Sequence, residues 1–210
     1  FNHMAAEISD LKIQAYERAL ENARMEASNL RLQINPHLLL NSLNMIYSLA
    51  QSREFHYIQD YTLNLVDYFR YSLQRTDHLV SLKEELAFVQ SYVKVQKIRF
   101  PKRFEIIYDV DDGLGDIPIP PLLVQNFVEN SIKYGMCPDR IIEILIIGVL
   151  QNDALVLSIC DTGSGMDEKQ LEAIRKNEIF EDGRGTHIGI HNCRRRLDVF
   201  YQGMAVFSIT

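Results

Sequence analysis

The chain has 210 residues, 47% of them hydrophobic and 24% charged, which fits a folded protein of one or two domains able to bury a real core. Its formal net charge of −6 argues against a general nucleic-acid binder, which normally displays a basic surface. Cys137, Cys160 and Cys193 form neither a C-x-x-C pair nor a metal-ligand spacing, so reduced thiols acting as small buried residues are expected, in a cytosolic setting.

Phe1-Asn2-His3-Met4 reads as a remnant of expression, so the chain is expected to be a piece of something longer. From residue 5 to about 50 the pattern predicts one long helix, in which Ile13, Tyr16, Leu20, Ala23, Ala27, Leu30 and Ile34 hold a heptad seam. One more step of that seam would bury His37. Pro36 lacks an N–H and crowds the preceding turn, which predicts a kink. Beyond it His37, Asn41, Asn44 and Ser48 recur on one face and Leu39, Leu43, Ile46 and Ala50 on another, so His37 is expected on an outward polar stripe. Four of the other histidines, His3, His56, His78 and His191, read as surface residues.

Residues 58–74 predict a second amphipathic helix with Leu63, Val66, Tyr68, Phe69 and Leu73 as its apolar positions. Two helices joined by a short polar turn predict an antiparallel hairpin, and two hairpins make a four-helix bundle, so the unpaired apolar surface predicts a dimer. Ser81 followed by Glu84 is a capping box opening a third helix through Leu86, Val89, Tyr92, Val93 and Gln96.

After Pro101 the character changes to strands with Gly and Pro punctuation, of α+β type. Strands are predicted over 104–110, 141–150, 155–159 and 205–209, and helices over 122–134, 169–176 and 190–200, with a flexible turn at 183–185. The apolar run 141–150 contains Glu143 and is far shorter than the roughly twenty residues that span a bilayer.

Three segments carry chemistry. Asn126, Asn130 and Lys133 fall at i, i+4 and i+7 of one helix, placing two amides and an ammonium on one face. An amide oxygen suits Mg²⁺ and a lysine suits phosphate. Asp161 follows an apolar strand and precedes Gly163 and Gly165; a carboxylate there accepts a hydrogen bond from an amine, and the glycines admit a ligand close to the backbone. Gly183, Gly185 and Gly189 lead into a helix N-terminus, whose free N–H groups favour phosphate.

Asn130, then Asp161-x-Gly163-x-Gly165, then the turn from Gly185 to Gly189 resemble the N, G1 and G2 boxes of the ATP-binding domain shared by histidine kinases, gyrase, Hsp90 and MutL. The run Leu32-Gln33-Ile34-Asn35-Pro36-His37-Leu38-Leu39-Leu40-Asn41-Ser42-Leu43-Asn44 is similar to the phosphoacceptor segment of the LytS/YesM group of bacterial sensor histidine kinases, close to Q-I-N-P-H-F-L-F-N-T-L-N. The likeness continues through Ser81-Leu82-Lys83-Glu84-Glu85-Leu86, residues 92–100 and residues 121–135.

The resemblance implies a fold of class α plus α+β: a coiled-coil and helical-hairpin region for dimerisation and histidine phosphotransfer over residues 1–100, then a Bergerat-type α/β sandwich that binds ATP over 101–210. It implies that His37 is phosphorylated from ATP and passes the group to an aspartate of a response regulator. Asn130 would ligate Mg²⁺ and Asp161 read the adenine amine. Lys133 would meet phosphate, while Asn126, Tyr134, Gly163, Gly165, Gly185 and Gly189 shape the pocket. Asn41, one turn past His37, would orient the imidazole or place water for dephosphorylating the regulator. The implied partners are a second copy of the chain and a receiver domain, with no nucleic acid. Membrane contact would come only through upstream segments, making this the cytoplasmic part of a bacterial plasma-membrane sensor.

Two departures are visible: family members usually have glycine where His187 stands, and they continue past residue 210 into another strand, so the sheet is expected to lack an edge or the chain to be cut. Two other classes share features of the pattern. A degenerate module would bind nucleotide or regulator without catalysis. An ATP-driven clamp would use the nucleotide boxes without needing the Asn35-Pro36-His37 helix.

Overall fold

A computed structural model of the chain describes residues 36–74, 78–137, 139–176, 178, 181–182, 185–186 and 188–210. It divides into two compact units, one ending at Asn44 and the other running from Met45 to Thr210. The expected heptad over residues 13–34 and the kink that would follow it lie outside the described residues.

Helix α1 (Pro36–Gln51) starts on the proline, whose fixed φ suits a first turn. Asn44 and Ser48 are exposed as expected and Asn41 is half-buried. Of the apolar face the sequence pointed to, only Ile46 is sheltered. Leu38 and Ser42 are buried and Met45, Ile46 and Leu49 half-buried, whereas Leu39, Leu43 and Ala50 are exposed. Leucines at 38, 39 and 40 give the helix two apolar phases, and hydropathy does not choose between them.

Residues 52–54 turn the chain, with Arg53 at φ 59°, into α2 (Phe55–Gln74). Tyr61, Leu65 and Tyr68 are buried there, while Leu63 and Val66, expected inside, are 65% and 45% exposed. Tyr61, Leu65 and Val95 form a core cluster against which Met45, Ile46, Leu49, Phe69 and Ile98 pack. Tyr68 and Tyr71 both stack on Phe88, at ring separations of 5.1 and 4.2 Å, locking α2 to the next helix.

That helix, α3 (Leu82–Arg99), follows the short strand β1 (Val80–Ser81) and opens with the expected capping box: Ser81 Oγ accepts from the Glu84 N–H, and the Glu84 carboxylate accepts from the Ser81 N–H. Lys97 and Arg99 in its last turn complement the helix dipole. Its buried face carries Leu82, Phe88, Val89, Tyr92 and Gln96, with one carboxylate, Glu85, among them.

Strand β2 (Phe104–Val110) matches its predicted bounds. β3 (Pro118–Ile119) pairs antiparallel with β1, and α4 (Leu123–Gly135) follows after Pro120 and Pro121. β4 (Ile142–Gln151) pairs parallel with β2 and antiparallel with β5 (Ala154–Asp161), so the sheet order is β2-β4-β5. Ile142, Ile144 and Ile146 point inward from β4 and Glu143 points out, the period-two pattern of a strand with one face in the core. The β4–β5 hairpin turns on Asn152 and Asp153, both at positive φ (50° and 61°), which matches the twist of a two-residue hairpin.

Helix α4 lies against β4 and β5 and packs on both α3 and the last helix. α5 (Glu168–Arg175) carries a second capping box, from Asp167 and Gln170. β6 (Glu181–Asp182) and β7 (Gly185–Thr186) form a two-residue antiparallel ladder; of the turn expected over 183–185, residues 183 and 184 lie outside the described residues and Gly185 is in β7, and α6 (Ile188–Tyr201) follows.

The expected strand over 205–209 is in no ladder among the described residues. Ala205, Phe207 and Ile209 are half-buried while Val206 is 93% exposed, and Phe207 stacks on Phe127 at 5.9 Å. Alternating hydropathy reports an extended backbone with one sheltered side, and it does so whether or not the backbone is paired. The cysteines also divide: Cys193 is buried as expected, Cys137 is half-buried and Cys160 is exposed on β5. His56 and His78 are exposed, but His191 is half-buried and its Nδ1 is shielded without a hydrogen-bond partner among the described residues.

Candidate functional site

The site is organised by α4. Leu122, at its start, adopts φ 59° and supplies no side-chain cap. The first N–H groups of a helix have no partner within it and need one from elsewhere. Here the partner is the fully buried Glu85 of α3: Oε2 accepts from the Leu122 N–H at 2.9 Å, and Oε1 accepts from the N–H groups of Val124 and Gln125 at 3.1 and 3.2 Å. The Tyr71 hydroxyl donates to Oε2 at 3.0 Å. Burial pushes the Glu85 carboxyl above its ordinary value, and these donors pull against that.

Asp161 ends β5 beside the far part of α4. Its Oδ2 accepts from the Ser131 hydroxyl at 2.7 Å and its Oδ1 from the Gly163 N–H at 2.9 Å. The side chain is exposed and thus fixed in direction while still open to a ligand; an ionised carboxylate has further lone pairs for an incoming amine. The Gly163 loop approaches the end of α4 so closely that a Cβ on Gly163 would sit 2.5 Å from Gly135 Cα and 2.8 Å from its carbonyl oxygen. Ser164 Oγ donates to the Tyr134 carbonyl at 3.1 Å, and Arg140 donates to the Gly163 carbonyl at 2.9 Å. Gly165 needs its glycine for another reason, φ of +68° in open space.

On its other side α4 meets α6. Asn126 Nδ2 donates to the Cys193 thiol at 3.3 Å, and burial pushes that thiol up to about 11. One turn on, Asn130 is half-buried, with its Nδ2 3.8 Å from where a Cβ on Gly189 would stand. Gly189 is in the first turn of α6, so Asn130 is next to a helix N-terminus, where N–H groups favour phosphate. Lys133 is exposed with its ammonium 4.6 Å from the Tyr134 ring centroid. Gly185 stands in β7, whereas Gly183 and His187 lie outside the described residues. α6 is anchored by Arg196, which donates to the Pro121 carbonyl at 2.6 Å, and by Arg194, which donates to the carbonyls of Ile174 and Arg175.

The donor set fits a nucleotide with Mg²⁺. Among the described residues no three His, Cys, Asp or Glu side chains cluster as a metal cage. Mg²⁺ is usually held by few protein ligands together with phosphates and water, a role open to the Asn130 amide beside Gly189. His37 and Asn41 lie in the first turns of α1, in the other compact unit.

Residues 25–104 match the family described as "Histidine kinase", and residues 115–208 match "Histidine kinase-, DNA gyrase B-, and HSP90-like ATPase". The chain belongs to the histidine kinase family. "Sensor protein LytS" of Oceanobacillus iheyensis is 33% identical to it over 194 residues, covering 91% of this chain and 33% of the relative. "Sensor histidine kinase YpdA" of Escherichia coli is 31% identical, covering 92% and 34%. "Sensor histidine kinase YesM" of Bacillus subtilis is 31% identical, covering 96% and 33%. The chain thus spans about a third of the length of these curated relatives. A solved histidine kinase domain from Erythrobacter litoralis EL346 overlays with a TM-score of 0.41 and 15% identity, covering 81% of each chain; the family assignment rests on the sequence matches.

Three residues of the chain went unassigned in the sequence. Ser131 stands within the amide-rich helix segment, yet only the structure joins it to Asp161. Gly135 reads as an ordinary helix end until the Gly163 loop is laid against it. Glu85 did leave a signal, since it occupies the apolar stripe of Leu82, Val89 and Tyr92, where an acid requires partners.

Proposed function

We propose that the chain is the kinase core of a two-component sensor, which phosphorylates His37 from ATP and hands the phosphoryl group to an aspartate of a response regulator. The observation that carries this reading is the meeting of three sequence segments on α4: Asp161 oriented by Ser131 and Gly163, and Asn130 set beside Gly189. Asp161 would accept from an adenine amine, Asn130 would hold Mg²⁺, and Lys133 would meet phosphate. Asn126, Tyr134, Gly163, Gly165, Gly185 and Gly189 would border the nucleotide. Mg²⁺, when bound, offsets the charge on the phosphates. A neutral His37 ring nitrogen attacks the γ-phosphorus in line, the N–P bond forming as the P–O bond to ADP breaks. Asn41, one turn along α1, would orient the imidazole or a hydrolytic water.

In this reading residues 1–100 serve dimerisation and phosphotransfer and residues 101–210 serve nucleotide binding. Exposed apolar side chains, Leu40 and Leu43 on α1 and Leu63 on α2, support pairing with a second copy. No helix among the described residues is long and apolar enough to cross a membrane, and the anchor would lie upstream.

The test is incorporation of γ-labelled phosphate from ATP with Mg²⁺. Acid-labile label is expected in the unaltered chain and none in His37→Gln, while both bind ATP equally. Label that persists in His37→Gln would overturn the assignment.

A further inference from the structure

Glu85 joins three helices through one carboxylate. It belongs to α3, it receives the N–H groups of Leu122, Val124 and Gln125 at the start of α4, and it receives the Tyr71 hydroxyl from α2. The two oxygens divide the work: Oε1 holds Val124 and Gln125, and Oε2 holds Leu122 together with Tyr71. With Leu122 unable to cap α4, this side chain from another helix satisfies its free donors and sets carboxyl oxygens at the positive end of its dipole. The same helix carries Asn126, Asn130, Ser131 and Lys133.

We infer that Glu85 is a positioning residue for the nucleotide site and that the Tyr71 hydroxyl fixes its orientation, so that α2 sets the seat of α4 through this hydrogen bond. The inference rests on the reading of α4 as the nucleotide helix. Tyr71 is itself held flat against Phe88 of α3, at 4.2 Å and 16° between ring planes, so its oxygen is delivered to Oε2 by a rigid stack. The Glu85 link is made by direct hydrogen bonds to backbone, so a change at Oε2 is transmitted to main chain and not only to side chains.

Tyr71→Phe tests this, because it keeps the stack on Phe88 and removes only the hydroxyl. The expected result is hydrogen exchange at the amides of Leu122, Val124 and Gln125 faster by about tenfold, with the rest of α4 and all of α3 unchanged. The KM for ATP should rise severalfold, while the unfolding midpoint falls by no more than the few degrees that one lost hydrogen bond costs. Glu85→Gln, which puts an NH₂ where one oxygen accepted two donors, should give the same pattern more strongly. Exchange at those amides unaltered in Tyr71→Phe would overturn the inference, as would faster exchange spread evenly over all helices. If the unaltered chain binds no ATP, the function proposed above fails, and the exchange pattern still decides the role of Tyr71 and Glu85.

Discussion

The Ser131 hydroxyl donates to Oδ2 of Asp161 at 2.7 Å, so the carboxylate at the end of β5 takes its direction from the helix that also carries Asn130. Ser131→Ala leaves Asp161 with the Gly163 N–H and solvent. A hydrogen bond of this kind is worth about 1 kcal/mol, or roughly fivefold in affinity. ATP binding measured by calorimetry is expected to weaken by about that factor, with preference over GTP narrowed, if the loosened carboxylate reads the amine as proposed. Unchanged affinity and selectivity would show that Asp161 does not read the base.

Gly163 and Gly165 are expected to fail differently. A methyl on Gly163 would meet Gly135 Cα at 2.5 Å and Asp161 Oδ1 at 2.7 Å, so backbone must move and the carboxylate with it. Gly163→Ala should cost about 1–3 kcal/mol or more and most of the nucleotide affinity. Gly165 has open space but a φ of +68°, so Gly165→Ala should cost only about the 1–2 kcal/mol of a left-handed residue and leave Asp161 in place. Thermal unfolding and ATP binding, measured together on both variants, separate the cases; equal losses of affinity would contradict the geometry.

Ser81→Ala removes one half of the capping box that opens α3, at a typical cost of about 1 kcal/mol. For a chain of this size that lowers the melting midpoint by about 2–4 °C. Because Glu85 lies in the same first turn, fraying should also raise exchange at Leu122, Val124 and Gln125. A drop in midpoint without that local signature would mean that the first turn of α3 stays in place without its cap.

The boundaries of α3, β2 and α4 were legible because each has local punctuation: a Ser-x-x-Glu box, an alternation broken only at Ile107, a proline pair before an amphipathic run. The inward faces of α1 and α2 were not. Leu38, Leu39 and Leu40 are chemically alike, and so are Leu63 and Leu65, yet Leu38 and Leu65 are buried and the others are not. Which stripe faces the core depends on what packs against it, a property of the whole fold. The three segments proposed to bind nucleotide stood out separately in the sequence. What holds them together did not, because Ser131 to Asp161, Gly135 to Gly163 and Glu85 to Val124 are contacts between residues far apart in the chain with no shared period. The final strand was misread for the opposite reason, its alternation being real and its hydrogen-bonded neighbour missing from the pattern.

The thiols give a test that needs no nucleotide. Cys160 is exposed and Cys193 is buried, with its pKa pushed up to about 11 by burial. Only the thiolate reacts with iodoacetamide, and at pH 8 a thiol of that pKa is ionised in about one molecule per thousand. Native protein is therefore expected to label at Cys160 within the time that leaves Cys193 unmodified, and at Cys193 only after denaturant is added. Between pH 8 and 10 the thiolate fraction at Cys193 rises about tenfold per unit, so any residual native labelling should climb with that slope. Asn126→Ala removes the 3.3 Å donor that favours the thiolate, while opening space beside it. If access governs, labelling of Cys193 speeds up in that variant; if the donor governs, it slows further. Labelling of Cys193 as fast as Cys160 in the unaltered chain would mean that α4 and α6 do not close over it, and that Asn130 and Gly189 are not held side by side.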